Sequence, residues 1–389
     1  MESTIIINGP KISRIKLVFS LLFVPGVYLM ILFSNVLTIV IGWLLIEFIK
    51  NLLAKLFVGI QFGIFGFYLL IGFVVSGMLF GLIGSFLAIL STIFNKKNEE
   101  PAILITINEH PKLYHLIVDL SEKMNTKIPD SIILHAKSSF FVTNRKIKVF
   151  NGIAKGRVLS ISMPLLNVLT VNELRSILAH EFAHFTGRDK IYTKAVLPVY
   201  RVAINYFENI KSVFYYNGSN LGLISIPLII PNKLMKCYLK SFQKLNMNIS
   251  REREFRADYI ATEICGYDTF KSALSKIVSY SEFCDDLIDR QIGEKLIAGY
   301  VYKNYFLDYR QNIEKYKKHT QKYFDKALLE NSYSSHPPFL KRIAKIPFIE
   351  EQYFDHDKSI LLINELEGIE INLTQSYNNF IYKLEMRYS

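Results

Sequence analysis

Two long stretches of the chain carry no charge. Residues 17–45 contain none, Glu47 being the first, and residues 56–95 contain none at all. A helix rises about 1.5 Å per residue, so about 20 residues cross the hydrocarbon core of a bilayer. Both stretches exceed that length. The pattern predicts two long transmembrane helices with a short turn around Lys50 and Lys55. Pro25 and Asn35 are candidate breaks in the first. Gly59/Gly63 and Gly77/Gly81 give the second the small-residue spacing that lets helices approach closely. A cleaved signal peptide fits poorly, because its apolar region runs only about 7–15 residues.

After residue 98 the pattern changes to short alternating runs. Residues 102–107, 131–134, 140–143, 146–150 and 157–162 read as strands, with Asn151-Gly152 a turn signal. Residues 109–125 read as an amphipathic helix. Thr170-Val-Asn-Glu173 fits a capping box and starts a helix expected to end near Gly187. Residues 191–248 are mixed and aromatic, with an apolar stretch at 221–231 too short to span a bilayer. Residues 250–265 form a charged helix stopped by Gly266, 271–329 read as further helix, and the tail from Phe348 is helical. The fold class expected is mainly α with a small β-sheet (α+β), in three parts. These are an N-terminal membrane anchor (1–97), a globular domain (98–346) and a C-terminal helical extension (347–389).

Composition narrows the class. The chain has 389 residues, half of them hydrophobic and 21% charged, with a mean hydropathy of +0.22. Disorder needs low hydrophobicity, so it is excluded. With 19 glycines, 12 prolines and three cysteines, collagen-like and disulfide-built scaffolds are excluded too. The net charge of +12 suits an anionic membrane surface. No nucleic-acid-binding signature accompanies it, and no nucleic-acid partner is expected. Lys11, Arg14, Lys16, Lys96 and Lys97 flank the two spans on one side, and Lys50 and Lys55 lie between them. Five against two puts both termini in the cytoplasm.

The candidate chemistry is His180-Glu181-Phe182-Ala183-His184, an HExxH motif inside the predicted helix. Residues i and i+4 share a helix face, so His180 and His184 can grip one metal ion. Glu181 beside them is a candidate general base. A hydrolytic zinc site takes three protein ligands and keeps one position open. Glu254 and Asp258, one helical turn apart, supply a candidate third ligand and a carboxylate to fix the tautomer of a ligating histidine. One Zn2+ per chain is expected.

These motifs, with Glu173-Leu-Arg-Ser-Ile-Leu-Ala before the first histidine, Arg253-Glu-Phe-Arg-Ala-Asp258, and Ser335-His-Pro-Pro-Phe-Leu-Lys-Arg-Ile343, carry a resemblance. The chain resembles the membrane-anchored gluzincin zinc endopeptidase family that includes HtpX and the type I CAAX prenyl proteases. The resemblance covers roughly residues 101–346 and implies a zincin-like metallopeptidase domain. It implies an edge strand for substrate at Arg157, Val158, Leu159, Ser160, Ile161 and Ser162. It gives His336 the role of stabilising the tetrahedral intermediate and places Arg342 near the same site. The chain departs from the family between its two motifs, where 191–248 offers one short apolar stretch in place of two membrane helices. It also cannot build the seven-span chamber of the prenyl proteases.

The function expected is membrane-anchored, zinc-dependent endopeptidase action on protein or peptide substrates, in membrane protein quality control or processing. The setting implied is the bacterial inner (cell) membrane, with the lipid bilayer as partner and the catalytic domain cytoplasmic. A membrane-tethered binding or chaperone-like module retaining a metal site is the alternative. An intramembrane protease fits less well, because charged residues flank the motif. An occluded, zymogen-like state with 221–231 over the cleft is a third reading.

Overall fold

The computed structural model describes residues 13–56, 72, 75, 98–186, 191–196, 198–200, 203–204, 226–285, 287, 292–329, 337–351, 353 and 355–388. The second uncharged stretch lies outside these residues apart from residues 56, 72 and 75, and so do residues 221–225. The chain groups into two compact units, and neither is a continuous segment. One holds residues 1–12, 97–190 and 250–389, and the other holds 13–96 and 191–249.

The larger unit is built on two small sheets. Strands β1 (Asn98–Glu99), β5 (Ile147–Val149) and β6 (Gly152–Ala154) form one, in the order β1-β5-β6. Strands β2 (Ala102–Ile105), β3 (Ser131–His135), β7 (Val158–Ser162) and β4 (Phe141–Thr143) form the other, in the order β2-β3-β7-β4. β3 runs antiparallel to β2 and parallel to β7, and β4 is antiparallel to β7. The Asn151-Gly152 turn joins β5 to β6, whose register pairs Val149 with Gly152. The strand that follows that turn, β6, was not expected, and the expected strand at 157–162 is β7 of the other sheet.

Both faces of the four-stranded sheet are covered. Ile103, Ile105, Ile132, Leu134, Leu159 and Ile161 point into the main helical core. Their neighbours Ala102, Ile133 and Val158 pack with Ile147, Val149 and Ala154 of the smaller sheet. Strands buried on both faces read as near-continuous apolar runs, as β3 and β7 do. β7 is hydrogen-bonded on both sides and every residue in it is buried. The expectation that residues 157–162 form an edge strand is therefore overturned. The free edges, among the described residues, are β2 and β4, and β4 is the one that runs beside the HExxH helix.

Among the described residues the α-helices are α1 (Arg14–Leu56), α2 (Pro111–Lys123), α3 (Met163–Leu166), α4 (Val171–Ala183), α5 (Ile226–Cys265), α6 (Tyr267–Asp285), α7 (Gly293–Ile297), α8 (Tyr305–Leu329), α9 (Phe339–Ile343) and α10 (Leu366–Tyr388). The expected α+β class, mainly helical, is the one observed. The C-terminal tail is not an appendage. Leu373 and Tyr377 of α10 are fully buried in the main core, and Ser359 donates from its hydroxyl to the carbonyl of Leu166. α5 stops at Gly266, whose φ of +95° only glycine adopts at low cost. A Cβ there would also lie 2.7 Å from the backbone of Glu351.

In the other unit, α1 is the one described helix long and apolar enough to cross a membrane. Its buried stripe includes Leu17, Val27 and Ile31, but polar residues are buried with them and its exposed surface is apolar. Ser20, Ser34 and Thr38 are buried, whereas Leu22, Leu29, Leu32 and Trp43 are each more than 60% exposed. Large apolar side chains facing outward, with hydroxyls turned inward, suit a hydrocarbon solvent.

Candidate metal centre

The HExxH helix follows directly from the buried sheet. β7 ends at Ser162, whose hydroxyl caps α3 by accepting from the Leu165 N–H at 3.3 Å. A short connection leads to Thr170, the N-cap of α4, where the predicted capping box is complete. Thr170 Oγ1 accepts from Glu173 N at 3.2 Å, and Glu173 Oε2 accepts from Thr170 N at 2.7 Å. Glu173 also accepts from Ser272 Oγ at 2.6 Å and from Lys276 Nζ at 2.7 Å, tying α4 to α6. Leu174, Leu178 and Phe182, four residues apart, bury one face of α4 in the core. The helix ends at Ala183 with His184 as its C-cap, earlier than the expected Gly187.

His180, His184 and Glu254 come together. One ligand atom from each lies within 4.8 Å of the others. His180 Nε2 is 3.5 Å from Glu254 Oε2, and His184 Nε2 is 3.5 Å from Glu254 Oε1. Tetrahedral ligands about 2.1 Å from a zinc ion stand about 3.4 Å apart, so this spacing fits such an ion. Two imidazole nitrogens and one carboxylate also suit a borderline cation better than calcium or magnesium, which take oxygen. The cluster could hold a metal ion.

Asp258, fully buried, stands on the far side of His180, with Oδ1 3.0 Å from Nδ1. Nε2 is thereby left facing the cluster. Arg342 from α9 grips Asp258 with two charge-assisted bonds, Nε to Oδ2 at 2.8 Å and NH2 to Oδ1 at 2.6 Å. Its guanidinium also lies 3.8 Å from Glu254 Oε2. The structure therefore gives Arg342 a contact that sequence reading did not assign, namely support of the carboxylate behind His180. Glu181 sits half-buried beside His180 on α4, and its charge contributes to holding the Arg342 proton. His336 lies outside the described residues.

The titration behaviour follows from this packing. Burial works against a charged His180, but the carboxylates of Asp258 and Glu254 outweigh it and raise the pKa to about 10. Burial pushes the Asp258 carboxyl up; the Arg342 guanidinium, followed by His180, overcomes that and holds it below the usual carboxylate range. The centre is thus a pocket of carboxylates that demands positive charge. It takes a proton on His180 in the absence of a cation, and a divalent ion would displace that proton.

Two further contacts were not legible from spacing. Arg256, buried and two residues from each of the two acids, donates from NH1 to the Ala183 carbonyl and from NH2 to Thr186 Oγ1, both at 3.0 Å. It satisfies the C-terminal end of the helix that carries the histidines. Phe270 of α6 lies flat against His180, with centroids 6.4 Å apart and an interplanar angle of 22°. One of three arginines in a charged segment and a phenylalanine in the next helix give no sequence signal of either contact.

A family model described as Peptidase family M48 matches residues 119–349, which is more than half of the chain and contains both acids, both histidines and Arg342. The chain belongs to peptidase family M48. A protein named "Protease HtpX homolog" from Acaryochloris marina (strain MBIC 11017) is 28% identical over 196 residues, 46% of this chain and 60% of that protein. Another so named, from Campylobacter concisus (strain 13826), is 27% identical over 195 residues, 46% of this chain and 61% of that protein. "Protease HtpX" of Psychrobacter sp. (strain PRwf-1) is 24% identical over 261 residues, 62% of this chain and 82% of that protein. The chain thus spans about three fifths of the length of the first two relatives. A crystal structure of S. mikatae Ste24p aligns at a TM-score of 0.31 and 15% identity, over 83% of this chain and 66% of that one.

Proposed function

We propose that this M48 chain is a membrane-anchored zinc endopeptidase that hydrolyses peptide bonds of protein substrates at the membrane. The observation that carries the reading is the convergence of His180, His184 and Glu254 within 4.8 Å, backed by the buried Asp258–Arg342 pair. His180, His184 and Glu254 would hold the metal. Bound there, zinc supplies Lewis acidity, which acidifies a water and polarises a carbonyl. Glu181 takes the water proton and returns it to the leaving amine nitrogen. Asp258 keeps His180 in the tautomer with Nε2 toward the metal, and Arg342 holds Asp258 in place. His336 is assigned to the developing oxyanion on the family resemblance alone.

The anchor reading rests on α1, with its outward-facing apolar surface. Arg14 and Lys16 at its start support a cytoplasmic N-terminus, and a return span over the second uncharged stretch would bring the catalytic unit to the same side, in a bacterial inner membrane. A role in membrane protein quality control or processing suits a protease tethered in this way.

The test is Glu181→Gln in the full chain, purified with its metal. Zinc content should stay near one per chain while casein digestion falls about 100-fold or more. Undiminished digestion by that variant would sink the assignment of Glu181, and a metal-replete parent that cleaves no peptide would favour the non-catalytic module.

A further inference from the structure

The smaller unit carries a charged face that the peptidase chemistry does not use. Between Glu208 and Glu252 the chain has no acidic residue. Within that span, α5 presents Lys233, Lys236, Lys240 and Lys244, all exposed. At about 100° per residue these four fall within an arc of about 80°. Met235, Leu239, Phe242, Asn246 and Ile249 are buried on the opposite side.

That buried side is the one packed on α1. Phe242 stacks on Phe23 with centroids 5.1 Å apart and rings parallel to 1°. Tyr238 Oη donates to the Phe23 carbonyl at 2.9 Å, and Ser20 Oγ donates to Asn246 Oδ1 at 3.3 Å. Gly26 allows this approach, because a Cβ there would lie 2.2 Å from Tyr238 Oη. Residues 20, 23 and 26 thus stand level with 246, 242 and 238, and the two helices run antiparallel. At 1.5 Å per residue, Lys244 and Lys240 lie level with about residues 20–25 of α1, and Lys236 and Lys233 with about residues 28–31. From residue 27 to 46, α1 has about the 20 uncharged residues that fill a hydrocarbon core. The uncharged run of α1, residues 17–46, is longer than a core needs; with the core seated on its later part, the lysine face stands where that core ends and phosphates begin, and Lys233 and Lys236, the deeper pair, reach out of it by snorkelling. Toward the start of α5 the same side changes to exposed Ile229 and Ile230, which suits the adjoining acyl region.

We propose that this face of α5 binds the headgroups of anionic phospholipids. The proposal rests on the reading that α1 spans a bilayer and is independent of the metal centre. Four cations on one face, in a stretch of sequence without an acidic residue, match a layer of lipid phosphates, and each such lysine near the surface is worth up to about fivefold in association.

The test uses the full chain reconstituted in phosphatidylcholine vesicles containing trace spin-labelled phosphatidylglycerol or spin-labelled phosphatidylcholine. The expected result is a severalfold preference for phosphatidylglycerol at the protein boundary, reduced by 0.5 M salt. The K233Q/K236Q/K240Q/K244Q protein should show a preference near one, and the same four positions changed to arginine should keep it. If the fourfold glutamine protein fails to insert, the K233Q/K236Q and K240Q/K244Q pairs should each lower the preference in part. Equal association of both lipids with the parent, or a preference unchanged by the glutamine changes, overturns the proposal. Loss of the preference on adding millimolar glycerol phosphate also overturns it, by marking a site for soluble anions. A parent chain stripped from the vesicles by alkaline carbonate defeats the membrane anchor itself, whereas a retained chain without lipid preference defeats only the headgroup site.

Discussion

Replacing Asp258 by Asn changes almost no volume and removes one charge from the core of the metal centre. Two consequences follow from the geometry. Arg342 loses the carboxylate that receives both of its bonds at 2.8 and 2.6 Å, so its guanidinium stays buried against an amide. Breaking a buried pair from one side costs about 3–5 kcal/mol. His180 also loses the charge 3.0 Å from its Nδ1, and such changes behind a ligand weaken metal binding about 10- to 100-fold, or about 1.4–2.7 kcal/mol. The larger effect thus falls on the metal-free fold. Thermal melting of the metal-stripped chain in detergent reads the first effect, and zinc competition against a chromophoric chelator reads the second. Arg342→Met completes a cycle. The double variant should lose much less stability than the sum of the singles, because removing both charges leaves none unpaired. Additive losses, or a D258N chain that melts and binds zinc like the parent, would refute the placement of this pair behind His180.

Two further outcomes follow from the same centre. Arg256→Met should free the end of α4 and weaken zinc binding severalfold, and lysine should not restore it, because one ammonium does not reproduce the two-pronged contact to Ala183 and Thr186; equal zinc affinity in all three proteins would count against this role. In the metal-stripped chain the raised pKa of His180, about 10 against an ordinary 6.5, favours the folded state in full below about pH 6.5. That contribution is lost as the pH rises through about 10. Denaturation midpoints across that window should therefore fall, and zinc binding at pH 8 should release a proton, both measurable by titration. A flat profile with no proton release would mean that His180 does not carry the proton.

Local patterns in the sequence located much of this protein. The capping box at Thr170 and Glu173 is a matter of residues three apart, and it formed as read. The i,i+4 spacing of His180 and His184 fixed their shared face, and the ExxxD spacing fixed that of Glu254 and Asp258. The uncharged run at 17–45 marked α1. Elsewhere local pattern was insufficient. Residues 157–162 look like any short apolar strand, and nothing in them tells a centre from an edge. Their neighbours in the sheet come from residues 131–135 and 141–143, and pairing decided the matter in favour of a buried β7. The tail after 347 carried no motif, yet Tyr377 fills the main core.

The sequence alone determined which side chains share a helical turn, where charge is absent for the length of a bilayer, and which residue types are able to bind a cation. Those properties depend on neighbours a few positions apart. The tertiary structure decided that Arg342, 84 positions beyond Asp258, serves that carboxylate, and that Arg256 closes the end of the histidine helix. It also set the lysines of α5 on the face turned away from α1. Each of these is a meeting of distant segments, and it is set by how buried surfaces fit together, which no local spacing encodes.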